Sequence, residues 1–124
     1  MSVIVQDAGF RADDHDGTGV LDIAGETPAD ALPGSFDDVD LIRIIFAAYA
    51  DGRGFTLARA LRGRGYRGRL RAVGPLIADQ YAMARRSGFD EVEIPDEIAA
   101  RQPEEQWLFR ANWRAHDYRS RLSA

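Results

Sequence analysis

The hydrophobic pattern of this chain changes period several times, and each change predicts an element. Residues 39–49, VDLIRIIFAAY, carry apolar side chains on both alternating faces, the pattern of a strand covered on both sides. A 3.6-residue spacing follows, with Leu57, Ala58 and Leu61 in one stripe, Thr56 as the expected N-cap and Gly63 and Gly65 as the stop. Residues 69–73 read as a short central strand. Pro75 then opens a second helix carrying Leu76, Ile77, Gln80, Tyr81 and Ala84 at helical spacing, closed by Gly88 and Phe89 as a Schellman stop. Residues 90–94 complete a β-α-β-α-β series.

The flanks are less regular. Residues 3–6 suit a strand, and residues 20–23 suit a second one, paired with the first as a hairpin across 13–19. Pro28, Pro33 and Gly34 make 27–37 a connector, with a helical turn at 29–32. A last helix over 104–121 is rich in aromatics: Trp107, Phe109, Trp113 and Tyr118. The expected fold is α/β: a small parallel sheet built from consecutive βα units, preceded by an N-terminal β-hairpin and followed by a C-terminal helix. The 124 residues are read as one domain, with an irregular segment 1–38, the core 39–94 and a helical segment 95–124. Ligands of such sheets bind beyond the carboxyl ends of the strands, which directs attention to the loops 50–55, 74–75 and 95–96.

Composition narrows the chemistry. Cysteine is absent, which excludes disulfides, thiolate metal sites and a cysteine nucleophile. Lysine is absent as well, so Schiff-base chemistry and a P-loop lysine are excluded. No apolar run is long enough for a membrane span, and the chain is expected to be cytoplasmic. Charge is segregated: residues 1–51 balance at −9, residues 52–86 at +8 and residues 87–124 at −3. The basic block holds nine arginines and one acid, Asp79. It is either compensated internally by the acidic N-terminal segment or is a docking surface for a small anion or an acidic protein. Nucleic acid is not expected, because the net charge is −4 and no binding motif accompanies the arginines.

The residues that could hold a ligand cluster after the first long strand. In DGRGFTLA, the helix-start amides near Gly52 and Gly54 together with Arg53 suit an oxyanion, and Asp51 could clamp an arginine or take a proton. Gly74 ends the next strand and Asp79 opens the second helix, which completes the candidate ligand set. The literal GxGxxG of Gly63, Gly65 and Gly68 follows a helix and precedes a strand, so it reads as a turn. Asp13, Asp14, His15 and Asp16 fit no calcium-loop template and read as a solvated hairpin turn. No metal site and no cofactor motif is read. Arg64, Arg67 and Arg69 are taken to lie in an exposed turn, available to a partner. The three tail aromatics Trp107, Phe109 and Trp113 exceed what one helix face buries, which suggests a weak homodimer.

The segment ADGRGFTLARALRGRGYRGRLRAVG, continued by DQYAMARRSGFDEVEI, resembles an uncharacterised bacterial family, domain of unknown function 934. The resemblance implies a place beside sulfite reductase, since genes of that family often neighbour the gene for its haemoprotein and its members are labelled oxidoreductases of sulfite reduction. Ser87 stands where that resemblance leads one to expect cysteine. The resulting expectation is an accessory protein of assimilatory sulfite reduction that binds an anion, sulfite reductase or its electron donor through an arginine-rich face. The alternatives are a small enzyme acting on an anionic substrate at residues 51–54, and an assembly scaffold without catalysis.

Overall fold

The computed structural model describes residues 2–111 and Trp113. Six strands form one sheet: β1 (Ser2–Gln6), β2 (Gly9–Arg11), β3 (Val20–Ala24), β4 (Leu41–Ile45), β5 (Arg69–Val73) and β6 (Glu91–Pro95). Their order is β2-β1-β6-β5-β4-β3. The four strands from β3 to β6 run parallel, as the alternation of strand and helix demands. The expectation of a parallel sheet holds only for these four, because β1 lies antiparallel to β6 and β2 antiparallel to β1.

The expected hairpin of residues 3–6 with 20–23 does not form. Two residues, Asp7 and Ala8, suffice to return the chain, and Gly9 at φ 120° pairs directly with Gln6. Residues 12–19 then cross to the opposite edge, where β3 joins β4 in parallel.

Among the described residues four helices complete the fold: α1 (Arg53–Gly63), α2 (Tyr81–Ser87), α3 (Asp96–Arg101) and α4 (Glu104–Arg110). Helix α1 begins three residues before the expected cap at Thr56, because the Asp51 carboxylate accepts the Arg53 backbone N–H at 3.1 Å and starts the first turn there. Pro75 does not open α2. The Gln80 side chain accepts the Ile77 N–H at 3.0 Å, a 3-10 turn spans Ala78–Gln80, and α2 follows it. The C-terminal stop is as the sequence implies. Gly88 sits at φ 113°, its N–H donates to Arg85, and the Phe89 N–H donates to the Ala84 carbonyl. Helix α4 covers the start of the expected 104–121 helix and ends at Arg110, with Ala111 and Trp113 in turns; residue 112 and residues 114–121, with Tyr118, lie outside the described residues.

Side-chain parity divides the sheet into two unlike faces. Ile42, Ile44, Leu70, Ala72, Val92 and Ile94 point to one face and pack with Phe55, Leu57, Ala58 and Leu61 of α1 and with Tyr81 and Ala84 of α2. Each fully buried Val, Leu, Ile or Phe side chain contributes roughly 1.5–3 kcal/mol. Trp107 of α4 joins the same core, edge-on to Tyr81, with its indole N–H on the Gln102 carbonyl. The opposite face carries the charged residues. Asp22, Arg43, Arg71 and Glu91 stand directly across from one another on β3, β4, β5 and β6.

Candidate functional site

The loop after β4 brings Asp51, Gly52, Arg53 and Gly54 together. Its two charged side chains satisfy each other. Arg53 donates to the Asp51 carboxylate through Nε at 2.9 Å and Nη2 at 2.7 Å, and this holds the Asp51 carboxyl down to about 2. Such a carboxylate is fully ionised and committed, which does not suit a general base near neutral pH. The glycines have a packing role. A Cβ on Gly54 would lie 2.4 Å from the Phe46 ring, and one on Gly74 would lie 2.4 Å from the Phe46 carbonyl oxygen. Gly74 also has φ 143°, so the close approach and the backbone angle both require glycine. Asp79 pairs with Arg110 of α4 at 2.8 Å rather than with the loop after β4. That loop is reached by Gln80 instead, whose Nε2 donates to the Tyr49 carbonyl at 2.5 Å.

A larger constellation lies on the polar face of the sheet. Arg71 and Glu91 are both buried and meet at 2.6 Å, while Arg71 Nη1 reaches Glu93 at 2.9 Å. Arg43 spans from Asp22, at 2.8 Å, to Glu93, at 3.3 Å. Arg69 donates to Glu91 at 2.9 Å, and Ser2 and Gln6 of β1 bond to Glu93 and Glu91. The segment 12–19 crosses this face as a strap. Asp13 takes both terminal nitrogens of Arg71 at 3.1 Å, and Asp14 takes Arg69 at 2.9 Å and Arg11 at 3.3 Å. The expected solvated turn is therefore a clamp. Burial alone would lower the Arg71 pKa, but its bonds to Asp13 and Glu91 outweigh that and raise it. Bonds from Arg71 and from Arg69 hold the Asp13 and Asp14 carboxyls below the ordinary carboxylate value.

Sequence reading missed this ladder, although a signal was present. Arginines two apart in RLR and glutamates two apart in EVE place opposite charges on one face once β5 and β6 pair. Arg69 is corrected accordingly: it belongs to β5 and is held by Glu91 and Asp14, not displayed in a turn. Arg62 is likewise internal, bonding the carbonyls of Gly88, Tyr66 and Gly68 and the Asp90 carboxylate. Ser87 is buried, its hydroxyl donating to the Met83 carbonyl at 2.8 Å.

Of the nine arginines from Arg53 to Arg86, five have a carboxylate within ion-pair distance: Arg53, Arg62, Arg69, Arg71 and Arg85. Among the described residues Arg59, Arg64, Arg67 and Arg86 have none. Arg64 caps the Leu32 and Ala29 carbonyls and Arg86 the Trp113 carbonyl, while Arg59 and Arg67 are exposed. The tail aromatics face different surroundings. Trp107 is in the core, Trp113 lies against Arg85 at 4.9 Å, and Phe109 is exposed beside Arg110.

Among the described residues no helix is long and apolar enough to cross a membrane, and no cluster of three or more metal-binding side chains is present. No significant match is found among curated proteins or among solved structures. Residues 20–120 match the family model described as "Bacterial protein of unknown function (DUF934)", a span that takes in β3 to β6 and all four helices, and the chain belongs to that family.

Proposed function

We propose that this protein works by contact, as a cytoplasmic accessory component of assimilatory sulfite reduction. In this reading it docks on sulfite reductase or its electron donor through the end of α1. One observation carries the docking reading: Arg59 in the second half of α1 and Arg64 and Arg67 in the turn after it are exposed, with no carboxylate partner among the described residues. The placement beside sulfite reductase rests on the resemblance of residues 50–74 and 79–94 to its family. Because Asp51 already occupies Arg53, an acidic protein surface is favoured over a small anion held at residues 51–54. Unneutralised surface charge acts mainly on association rate, and its effect falls as salt shortens the Debye length.

The test is binding of the purified chain to sulfite reductase and to its electron donor across a salt series. The proposal expects salt-sensitive association that is lost on Arg59→Glu, Arg64→Glu and Arg67→Glu together. Association that the triple reversal leaves unchanged, or none at low ionic strength, would remove this reading.

A further inference from the structure

The two edges of the sheet are treated differently. At the β2 edge, the outward N–H of Phe10 donates to the Glu104 carboxylate of α4 at 2.8 Å. Gly9 makes room for this, since a Cβ there would lie 2.4 Å from the same oxygen. That edge is closed.

The β3 edge is open. Gly19 accepts the Leu41 N–H and Gly25 donates to the Ile45 carbonyl, so both face β4. In a parallel ladder the residues bonding one neighbour alternate, which gives positions 19, 21, 23 and 25 to β4 and turns Val20, Asp22 and Ala24 outward. The Ala24 carbonyl accepts Thr27 N–H at 3.0 Å. The outward groups of Val20 and Asp22 and the Ala24 N–H have no partner among the described residues. Along this edge lies an open groove of about 340 Å³, whose apolar wall is Leu21, Ile23, Ala31, Leu32 and Pro33 and whose rim includes Asp22, Ala24 and Thr27. On the other side is Asp22, half-exposed at the end of the charged row. Counted over the whole connected ladder, the five carboxylates Asp13, Asp14, Asp22, Glu91 and Glu93 face the four guanidiniums Arg11, Arg43, Arg69 and Arg71, a surplus of one negative charge, and Asp22 is the carboxylate at its β3 end.

We propose that the β3 edge takes an extended segment of a partner protein as a seventh strand, with a basic residue opposite Asp22 and an apolar residue on each side of it. The backbone groups of Val20, Asp22 and Ala24 supply the ladder bonds. In an antiparallel pair the residue facing Asp22 shares its side of the sheet, while the flanking residues point to the other side, into the groove. A second copy of this chain is a poor occupant: the two-fold alignment centred on the strand sets Asp22 against its own equivalent, and like charges directly opposite are destabilising. Arg64 borders this surface through its bond to the Leu32 carbonyl, whereas Arg59 and Arg67 do not line the groove.

The experiment is a titration of the isotope-labelled full chain with a capped peptide, Thr-Thr-Val-Arg-Val-Thr-Thr, followed by amide NMR shifts. The expected result is saturable shifts confined to Val20, Asp22, Ala24 and the groove, with no response to the same peptide carrying glutamate at its centre. Asp22→Lys should reverse that preference. Ala24→Pro removes one outward donor and no bond to β4, and loss of one hydrogen bond worth ~1 kcal/mol should weaken the arginine peptide about fivefold. The proposal fails if the peptide gives no shifts at millimolar concentration or shifts away from β3. It fails equally if neither variant changes binding, or if the β3 amides shift with protein concentration alone, which would make a second copy the occupant.

Discussion

Arginine does two different jobs in this chain, and the contrast lies between the polar sheet face and the end of α1. On the sheet, Arg43, Arg69 and Arg71 are each held by two or more carboxylates, and Arg71 is buried with Glu91. At the end of α1, Arg59 and Arg67 are exposed and Arg64 caps carbonyls. Sequence proximity hides this difference, because Arg67, Arg69 and Arg71 are two residues apart. A charge block is thus not one surface: strand parity and burial decide which guanidiniums are structural and which are free to meet a partner.

The contrast is tested hardest by removing a buried carboxylate. Glu91→Ala leaves Arg71 without its closest partner, removes one of the two carboxylates on Arg69 and takes the acceptor from the Gln6 amide N–H. Breaking a buried ion pair from one side costs about 3–5 kcal/mol, so the urea midpoint should fall steeply. A loss under about 1 kcal/mol, the ordinary value for a surface pair, would show that the ladder does not hold the sheet.

An intermediate case lies within α1 itself. Arg62→Ala removes a guanidinium that joins α1 to the Gly88, Tyr66 and Gly68 carbonyls. Leaving such acceptors unpaired costs about 1–3 kcal/mol, measurable by chemical denaturation. Arg59→Ala, on the same helix, should stay within about 0.5 kcal/mol of the parent.

A smaller effect is expected from the strap. Arg71 and Arg69 hold the Asp13 and Asp14 carboxyls below the ordinary aspartate value of 3.8. A folded-state pKa depressed in this way gives stability that is present above the unfolded value and lost as pH falls through the folded one. Stability should therefore decline below about pH 4 as the strap carboxylates protonate, by the linkage of pKa to folding. In Asp13→Asn with Asp14→Asn that part of the decline should be absent, as read from denaturation midpoints between pH 2 and 6. An identical pH profile in the double variant would show that the strap's ion pairs do not contribute.

Sequence legibility follows the same division. The parallel core was legible because its inward residues, such as Ile42, Ile44, Leu70 and Val92, repeat at strand and helix periods that need no knowledge of partners. The Gly88 stop was legible because it is local. The strap and the ladder were not, since Asp13 meets Arg71 across 58 positions of sequence. Alternating charged residues in β5 and β6 have the appearance of solvent-facing positions until the register sets Arg71 beside Glu91. Placement of β3 was missed for a similar reason: a short apolar run does not reveal whether it closes a hairpin or crosses to the far edge. Among the site residues, Gly54 and Gly74 were noticed for their position after strands, whereas their contact with Phe46 needed the packed structure.

The most direct measurement is the urea unfolding free energy of two matched single variants, Arg71→Gln and Arg67→Gln. The chemical change is the same and the positions are four apart, so only the surroundings differ. Arg71→Gln should lose about 3–5 kcal/mol, because Glu91 and Glu93 remain without their buried counter-ion. Arg67→Gln should stay within about 0.5 kcal/mol of the parent. Equal losses in the two variants would contradict the division of the arginines into a structural ladder and a free surface.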